Sequence, residues 1–136
     1  MSNPEPSILY IDDDLLSLEV MKVLLEKIMG FTNVTYFKDS QNFIERIRNL
    51  LATPDIVFLD LKIRPHDGYE ILAALRNNTD YQDIKVIAVT ASVMSHDVEQ
   101  MKAAGFSGLI SKPIIHRIFP ELINKILAGE PIWYIS

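Results

Sequence analysis

The chain contains no cysteine. Disulfide bonds, thiolate catalysis and cysteine-ligated zinc are therefore excluded, which fits a cytoplasmic protein. No apolar run approaches the length of a membrane span. The N-terminus is polar and carries Pro4 and Pro6, with no basic segment leading into an apolar one. It reads as a loose arm over residues 1–6 rather than a signal peptide. No basic cluster stands out, and the formal charge of −5 disfavours direct nucleic-acid binding, which needs cations to displace counterions. There is no internal repeat, no low-complexity segment and no linker to a second domain. No glycine-rich phosphate loop is present, which argues against a dinucleotide-binding protein.

What remains is 136 residues of ordinary globular composition, 49% apolar and 23% charged, enough for one domain and one core system. Short apolar runs alternate with stretches of helical period. Strands are expected at Ser7–Ile11, Val34–Phe37, Asp55–Leu59, Lys85–Val89 and Gly108–Ser111. Helices are expected over Leu15–Met29, stopped by Gly30, and from a cap at Asp39 or Ser40 to about Ala52, with Phe43, Ile47 and Leu50 or Leu51 inward. Three more follow: Tyr69–Arg76, Ser95–Ala104 with Ser95 as candidate cap, and a last one bearing two apolar rows, Ile118, Leu122, Ile126 and Phe119, Ile123, Leu127. Asp67 ahead of Gly68 reads as turn chemistry, and Asp14 as the cap of the first helix. Five βα units with fully apolar strands imply a doubly wound α/β fold, its parallel five-stranded sheet covered on both faces. The domain is expected over residues 7–128, with an apolar tail over 129–136.

In such a sheet, ligands bind beyond the carboxyl ends of the strands. Asp12 and Asp13 follow the first strand and Asp60 the third, while Thr90 and Lys112 end the fourth and fifth. Carboxylates converging there need a cation among them, and an all-oxygen set suits Mg²⁺, with Mn²⁺ as a substitute. A lysine and a hydroxyl beside such a metal make a site for a phosphoryl group, and a carboxylate can be its nucleophile.

These residues closely resemble the response-regulator receiver family. Ile8 to Asp14 is similar to its acidic first motif, and Val57 to Leu61 with Gly68 to its phosphoacceptor motif. Val89-Thr90-Ala91 and Ser111-Lys112-Pro113 are similar to the remaining signatures. The spacings of 30 residues from Asp60 to Thr90 and 22 from Thr90 to Lys112 are typical of it. The resemblance, running from about Ser7 to Leu127, implies a flavodoxin-like receiver fold and a protein that is not an enzyme beyond self-catalysed phosphoryl acceptance and slow autodephosphorylation. It implies that Asp60 takes a phosphoryl group from a histidine kinase or histidine phosphotransfer protein. Asp13, Asp60 and the backbone carbonyl of Lys62 would bind Mg²⁺, Asp12 acting largely through a metal-bound water. Thr90 and Lys112 would hold the phosphoryl oxygens, and the Lys112–Pro113 peptide would be cis. The signal would pass to an unidentified downstream protein through a surface at about Ser95–Leu127, either as a diffusible output or within a phosphorelay; a homodimer is a further option.

Two departures stand out. Arg64 holds the place of a usual proline, and Pro65 comes next, so this loop is expected to run differently. Leu109 stands where the family often has an aromatic switch residue. Lys62 and Ser92 sit at positions that tune phosphoryl lifetime. The alternatives are a phosphate-independent receiver-like interaction module and, ranked lower, a haloacid-dehalogenase-type phosphohydrolase. The latter needs an aspartate two residues after the nucleophile, where this chain has Lys62. His66, His96 and His116 share no ligand spacing and read as surface residues. The Pro131–Ile135 tail with Trp133 and Tyr134 either folds back on its own domain or docks on a partner or second subunit.

Overall fold

The structure, a computed structural model, describes residues 5–91 and 93–135, and of Ser95 and His96 the backbone alone. Ser92 and the first four residues of the expected arm lie outside it. Six strands form one parallel sheet: β1 Ile8–Ile11, β2 Val34–Phe37, β3 Ile56–Leu59, β4 Lys85–Thr90, β5 Gly108–Ser111 and β6 Ile132–Tyr134, in the spatial order β2-β1-β3-β4-β5-β6. The helices are α1 Leu15–Lys22, α2 Phe43–Arg48, α3 Gly68–Arg76, α4 Ser95–Ala104 and α5 Phe119–Leu127.

Strand side chains point alternately to opposite faces, so a continuous apolar run feeds two cores at once. Leu9, Ile11, Val57, Leu59, Val86, Ala88 and Leu109 face one side, where Phe43, Ile47, Ile71, Leu72, Leu75 and Met101 of α2, α3 and α4 cover them. Ile8, Tyr10, Ile56, Phe58, Ile87, Val89 and Ile110 face the other, under Leu18 and Met21 of α1 and Phe119, Leu122, Ile123 and Ile126 of α5. The strand order reverses at β1, between β2 and β3, and the crevice that this opens lies beyond the carboxyl ends of β1 and β3.

Four expectations are corrected. The first helix is α-helical only to Lys22 and continues as a π-helix over Val23–Ile28, with the Met29 N–H reaching back to the Leu24 carbonyl at 3.0 Å. The second helix is shorter at both ends. Neither Asp39 nor Ser40 caps it: Asn42, in the left-handed region at φ 50°, precedes it, and Leu51 beyond its end is fully exposed. In α4 the cap is Met94, whose N–H donates to the Asp97 carboxylate at 2.7 Å, and Ser95 is already helical. Asp14 caps α1 as expected, and Asp67 proves to cap α3, accepting the Glu70 N–H at 2.9 Å.

The sheet also has one more strand than expected. The tail returns after α5 and adds β6 parallel to β5, with Gly108 opposite Ile132, Leu109 opposite Trp133 and Ile110 opposite Tyr134. Ile132 is buried, Trp133 packs against one core and Tyr134 against the other. Gly108 permits this approach, because a Cβ there would lie 2.5 Å from the Ile132 carbonyl oxygen.

Candidate functional site

The backbone at the carboxyl edge is held by the same ladders that build the sheet. The Asp12 N–H donates to the Phe37 carbonyl at 3.1 Å, the Asp60 N–H to the Ile11 carbonyl at 3.1 Å, and the Lys112 N–H to the Thr90 carbonyl at 2.9 Å. Asp12, Asp60 and Thr90 are buried and Asp13 is exposed. Asp12, Asp13 and Asp60 each bring a carboxylate oxygen into one group whose members lie within 4.8 Å of one another. Lys112 reaches across from the end of β5: its Nζ lies 2.7 Å from Asp12 Oδ2 and 3.2 Å from Asp60 Oδ2. The expected residues of β1, β3, β4 and β5 thus share one edge, and an ammonium sits among the carboxylates.

Burial costs a carboxylate its hydration, so each oxygen needs donors. Asp60 Oδ1 accepts the Lys62 N–H at 3.0 Å. Burial nevertheless raises the Asp60 pKa above the ordinary carboxylate range, against the lowering effects of the Lys62 amide and the Lys112 charge. For Lys112, burial works to lower the pKa, but the hydrogen bond to Asp12 and the charges of Asp60 and Asp12 outweigh it, and the ammonium is held above its usual value. Asp12 accepts three hydrogen bonds: the Asp14 N–H on Oδ1 at 2.9 Å, and on Oδ2 both Lys112 Nζ and the Tyr10 hydroxyl, the latter at 2.5 Å. Burial, then the hydrogen bond and charge of Asp12, push the Tyr10 phenol far above its ordinary pKa, and its hydroxyl donates to Asp12 Oδ2.

The loop after Asp60 is anchored from outside. Gly68 is packed so closely that a Cβ there would lie 2.8 Å from the Leu61 Cα. The Arg64–Pro65 and Lys112–Pro113 peptides are both cis. Ser40, fully buried in the loop after β2, donates its N–H to the Arg64 carbonyl at 2.9 Å. Its hydroxyl donates to the His66 carbonyl at 2.6 Å and accepts the His66 N–H at 2.7 Å. Ser40→Ala leaves both His66 groups unpaired. It is expected to lower stability by about 1–3 kcal/mol, read from urea unfolding; an unchanged midpoint would show that the loop is held by other contacts.

Tyr10 and Ser40 were missed as site residues. A tyrosine in an apolar strand reads as core, and a serine before a helix reads as a cap. The only signal for Tyr10 was its position two residues before Asp12, on a strand whose end faces the acids. His66 pairs with Glu70 at 2.9 Å on the surface, as a surface histidine would. Leu109 is wholly buried, so the chain has no aromatic ring to swing at that position.

A parallel sheet whose carboxyl edge gathers three carboxylates around one lysine defines a class, the doubly wound α/β domains with a polar site beyond their strand ends. The family model for the response regulator receiver domain matches residues 8–125, and the chain belongs to that family. It is therefore a signalling protein of two-component type rather than a classical enzyme. The polar-differentiation response regulator DivK of Brucella anthropi is 29% identical over 124 residues, covering 89% of this chain and 95% of its own length. Stress response regulator protein 1 of Scheffersomyces stipitis is 24% identical over 110 residues, which span 79% of this chain but 37% of that protein. Among solved structures, the chemotaxis response regulator CheY4 of Vibrio cholerae matches at a TM-score of 0.79 with 18% identity, over 90% of this chain and 99% of its own. The REC domain of RcsB from Salmonella enterica serovar Typhimurium matches at 0.81 with 16% identity, over 96% and 94%. At these identities the structures speak for the fold alone. No helix among the described residues is long and apolar enough to cross a membrane.

Proposed function

We propose that Asp60 is the phosphoacceptor and that the domain passes the signal on through a surface controlled by that phosphorylation. The observation that carries this is the Lys112 ammonium bridging Asp12 and Asp60 inside a cluster of three carboxylates. One Asp60 oxygen attacks the phosphorus of a phosphohistidine. The P–N bond breaks, its electron pair leaves on the imidazole nitrogen, and an acyl phosphate remains on Asp60. Hard carboxylate oxygens at this spacing fit Mg²⁺, or Mn²⁺ in its place, which Asp13, Asp60 and the Lys62 carbonyl would hold, with Asp12 acting largely through a water on the ion. When bound, the cation neutralises charge on the transferring group. Lys112 turns its ammonium to a phosphoryl oxygen and the Thr90 hydroxyl donates to another. The donor is a histidine kinase or a phosphotransfer protein in the cytoplasm. The downstream partner reads the face formed by α4, β5 and α5, at whose β5 edge this chain carries β6.

Incubation with acetyl phosphate and Mg²⁺, followed by intact-mass analysis, is expected to give one phosphoryl adduct that is absent without Mg²⁺ and absent from Asp60→Asn. An adduct that persists in Asp60→Asn refutes the assignment. A protein that binds the metal but takes no phosphoryl group from acetyl phosphate or a histidine donor is instead a phosphate-independent interaction module, a reading that the buried Leu109 favours.

A further inference from the structure

We propose that Tyr10 is a positioning residue for the metal site, holding the Asp12 carboxylate in the orientation that admits a divalent cation. This rests on the reading of Asp12, Asp13 and Asp60 as the metal-site carboxylates, Asp12 acting largely through a water on the ion. Asp12 is buried, and protein groups donate to it. Three are present, and they differ in kind. The Asp14 N–H is fixed by the backbone. The Lys112 ammonium is shared with Asp60 on a flexible four-carbon stem, and it has a second task when an anion arrives. The Tyr10 hydroxyl bonds Asp12 from a ring that is fully buried in the core under α1 and α5, edge-on to Tyr36 at 6.5 Å. Tyr36 does not compete for Asp12, because its own hydroxyl donates to Glu26 Oε2 at 2.8 Å.

The consequence concerns the moment when the ammonium leaves. A cation entering among the three carboxylates repels Lys112, and a phosphoryl group on Asp60 attracts it. Asp12 Oδ2 then keeps a single donor, the Tyr10 hydroxyl. With that donor the carboxylate stays oriented and buried. Without it, the Lys112 ammonium is the one donor on Asp12 Oδ2, and keeping that pair at 2.7 Å competes with the metal. Groups that hydrogen-bond a metal-ligating carboxylate from behind commonly shift metal affinity by an order of magnitude.

The test is Mn²⁺ titration of the full chain, with free ion followed by its electron paramagnetic resonance signal, for wild type, Tyr10→Phe and Tyr36→Phe. Tyr10→Phe removes one oxygen and keeps the ring in the core. Its Mn²⁺ dissociation constant is expected to rise about tenfold. Tyr36→Phe removes the neighbouring hydroxyl without touching Asp12 and is expected to bind Mn²⁺ as wild type does. Equal affinity in wild type and Tyr10→Phe overturns the proposal, as does an equal loss in both variants, which would mark a general loosening of the strand layer. Wild type that binds no Mn²⁺ also overturns it. Wild type that binds Mn²⁺ yet accepts no phosphoryl group removes only the Asp60 assignment, and the Tyr10 comparison is still decided by metal affinity.

Discussion

Replacing Lys112 by methionine is expected to cost the metal-free domain about 3–5 kcal/mol at neutral pH, because removal of one partner leaves buried charge uncompensated. The side chain is 17% exposed, against 0% for Asp12 and 12% for Asp60, so solvent screens this cluster poorly. Methionine keeps much of the stem's packing and deletes only the charge and its hydrogen bonds. The loss is read from urea unfolding in the presence of a chelator. Saturating Mg²⁺ should narrow the gap, since a site without the Lys112 ammonium binds the cation more tightly and is stabilised by it more than wild type is.

The pH dependence has a defined sign. Burial already raises Asp60 above its unfolded value. A carboxyl raised in this way binds its proton more tightly in the folded state. Its contribution to stability is full below the unfolded pKa and is lost as the pH rises through the folded one. Lys112 is one of the influences holding Asp60 down, so its removal moves the folded value further up. The deficit of Lys112→Met relative to wild type is therefore largest at neutral pH and shrinks in acid as Asp60 protonates. A deficit that does not change between neutral and acidic pH would mean that lost packing, not charge, is responsible.

Much of this centre was legible in the sequence because strand ends are. An apolar run that stops at a polar residue fixes both the strand and the edge where that residue lies, and four such runs locate Asp12, Asp60, Thr90 and Lys112 without any side-chain geometry. What escaped is what depends on side chains meeting across elements distant in the chain. Tyr10 alternates into the core like Ile8, and only its place two residues before Asp12 hints that its hydroxyl ends there. Ser40 has the composition of a cap and is in fact a clamp on a loop 26 residues away. Met29 fits a helical stripe equally well whether the turn before it is α or π. Three residues, Ile132 to Tyr134, are too few for a period to declare itself, so the tail read as cover without showing that it pairs.

Deleting residues 131–136 is expected to lower stability by about 2–4 kcal/mol, from the lost burial of Ile132, the partial cover by Trp133 and its contact with Lys102. Ile132 is 7% exposed, and the Lys102 Nζ lies 5.2 Å from the Trp133 ring centroid. The deletion also bares backbone N–H and C=O groups of Gly108–Ile110 along the β5 edge, and an unpaired apolar edge invites pairing with a second chain. Sedimentation should show concentration-dependent association of the truncated protein beyond that of the full chain. Gly108 separates pairing from mere cover. In Gly108→Ala the new Cβ would meet the Ile132 carbonyl oxygen at 2.5 Å, a backbone atom that can yield only if β6 moves away. That variant is expected to lose much of what the deletion loses. In the truncated background the clash has no object, leaving only the flexible tip of Ile87 at 3.1 Å, so the same substitution should cost little there. The two changes are thus expected to be strongly non-additive. Additive costs would mean that the tail stabilises the domain from some position other than beside β5.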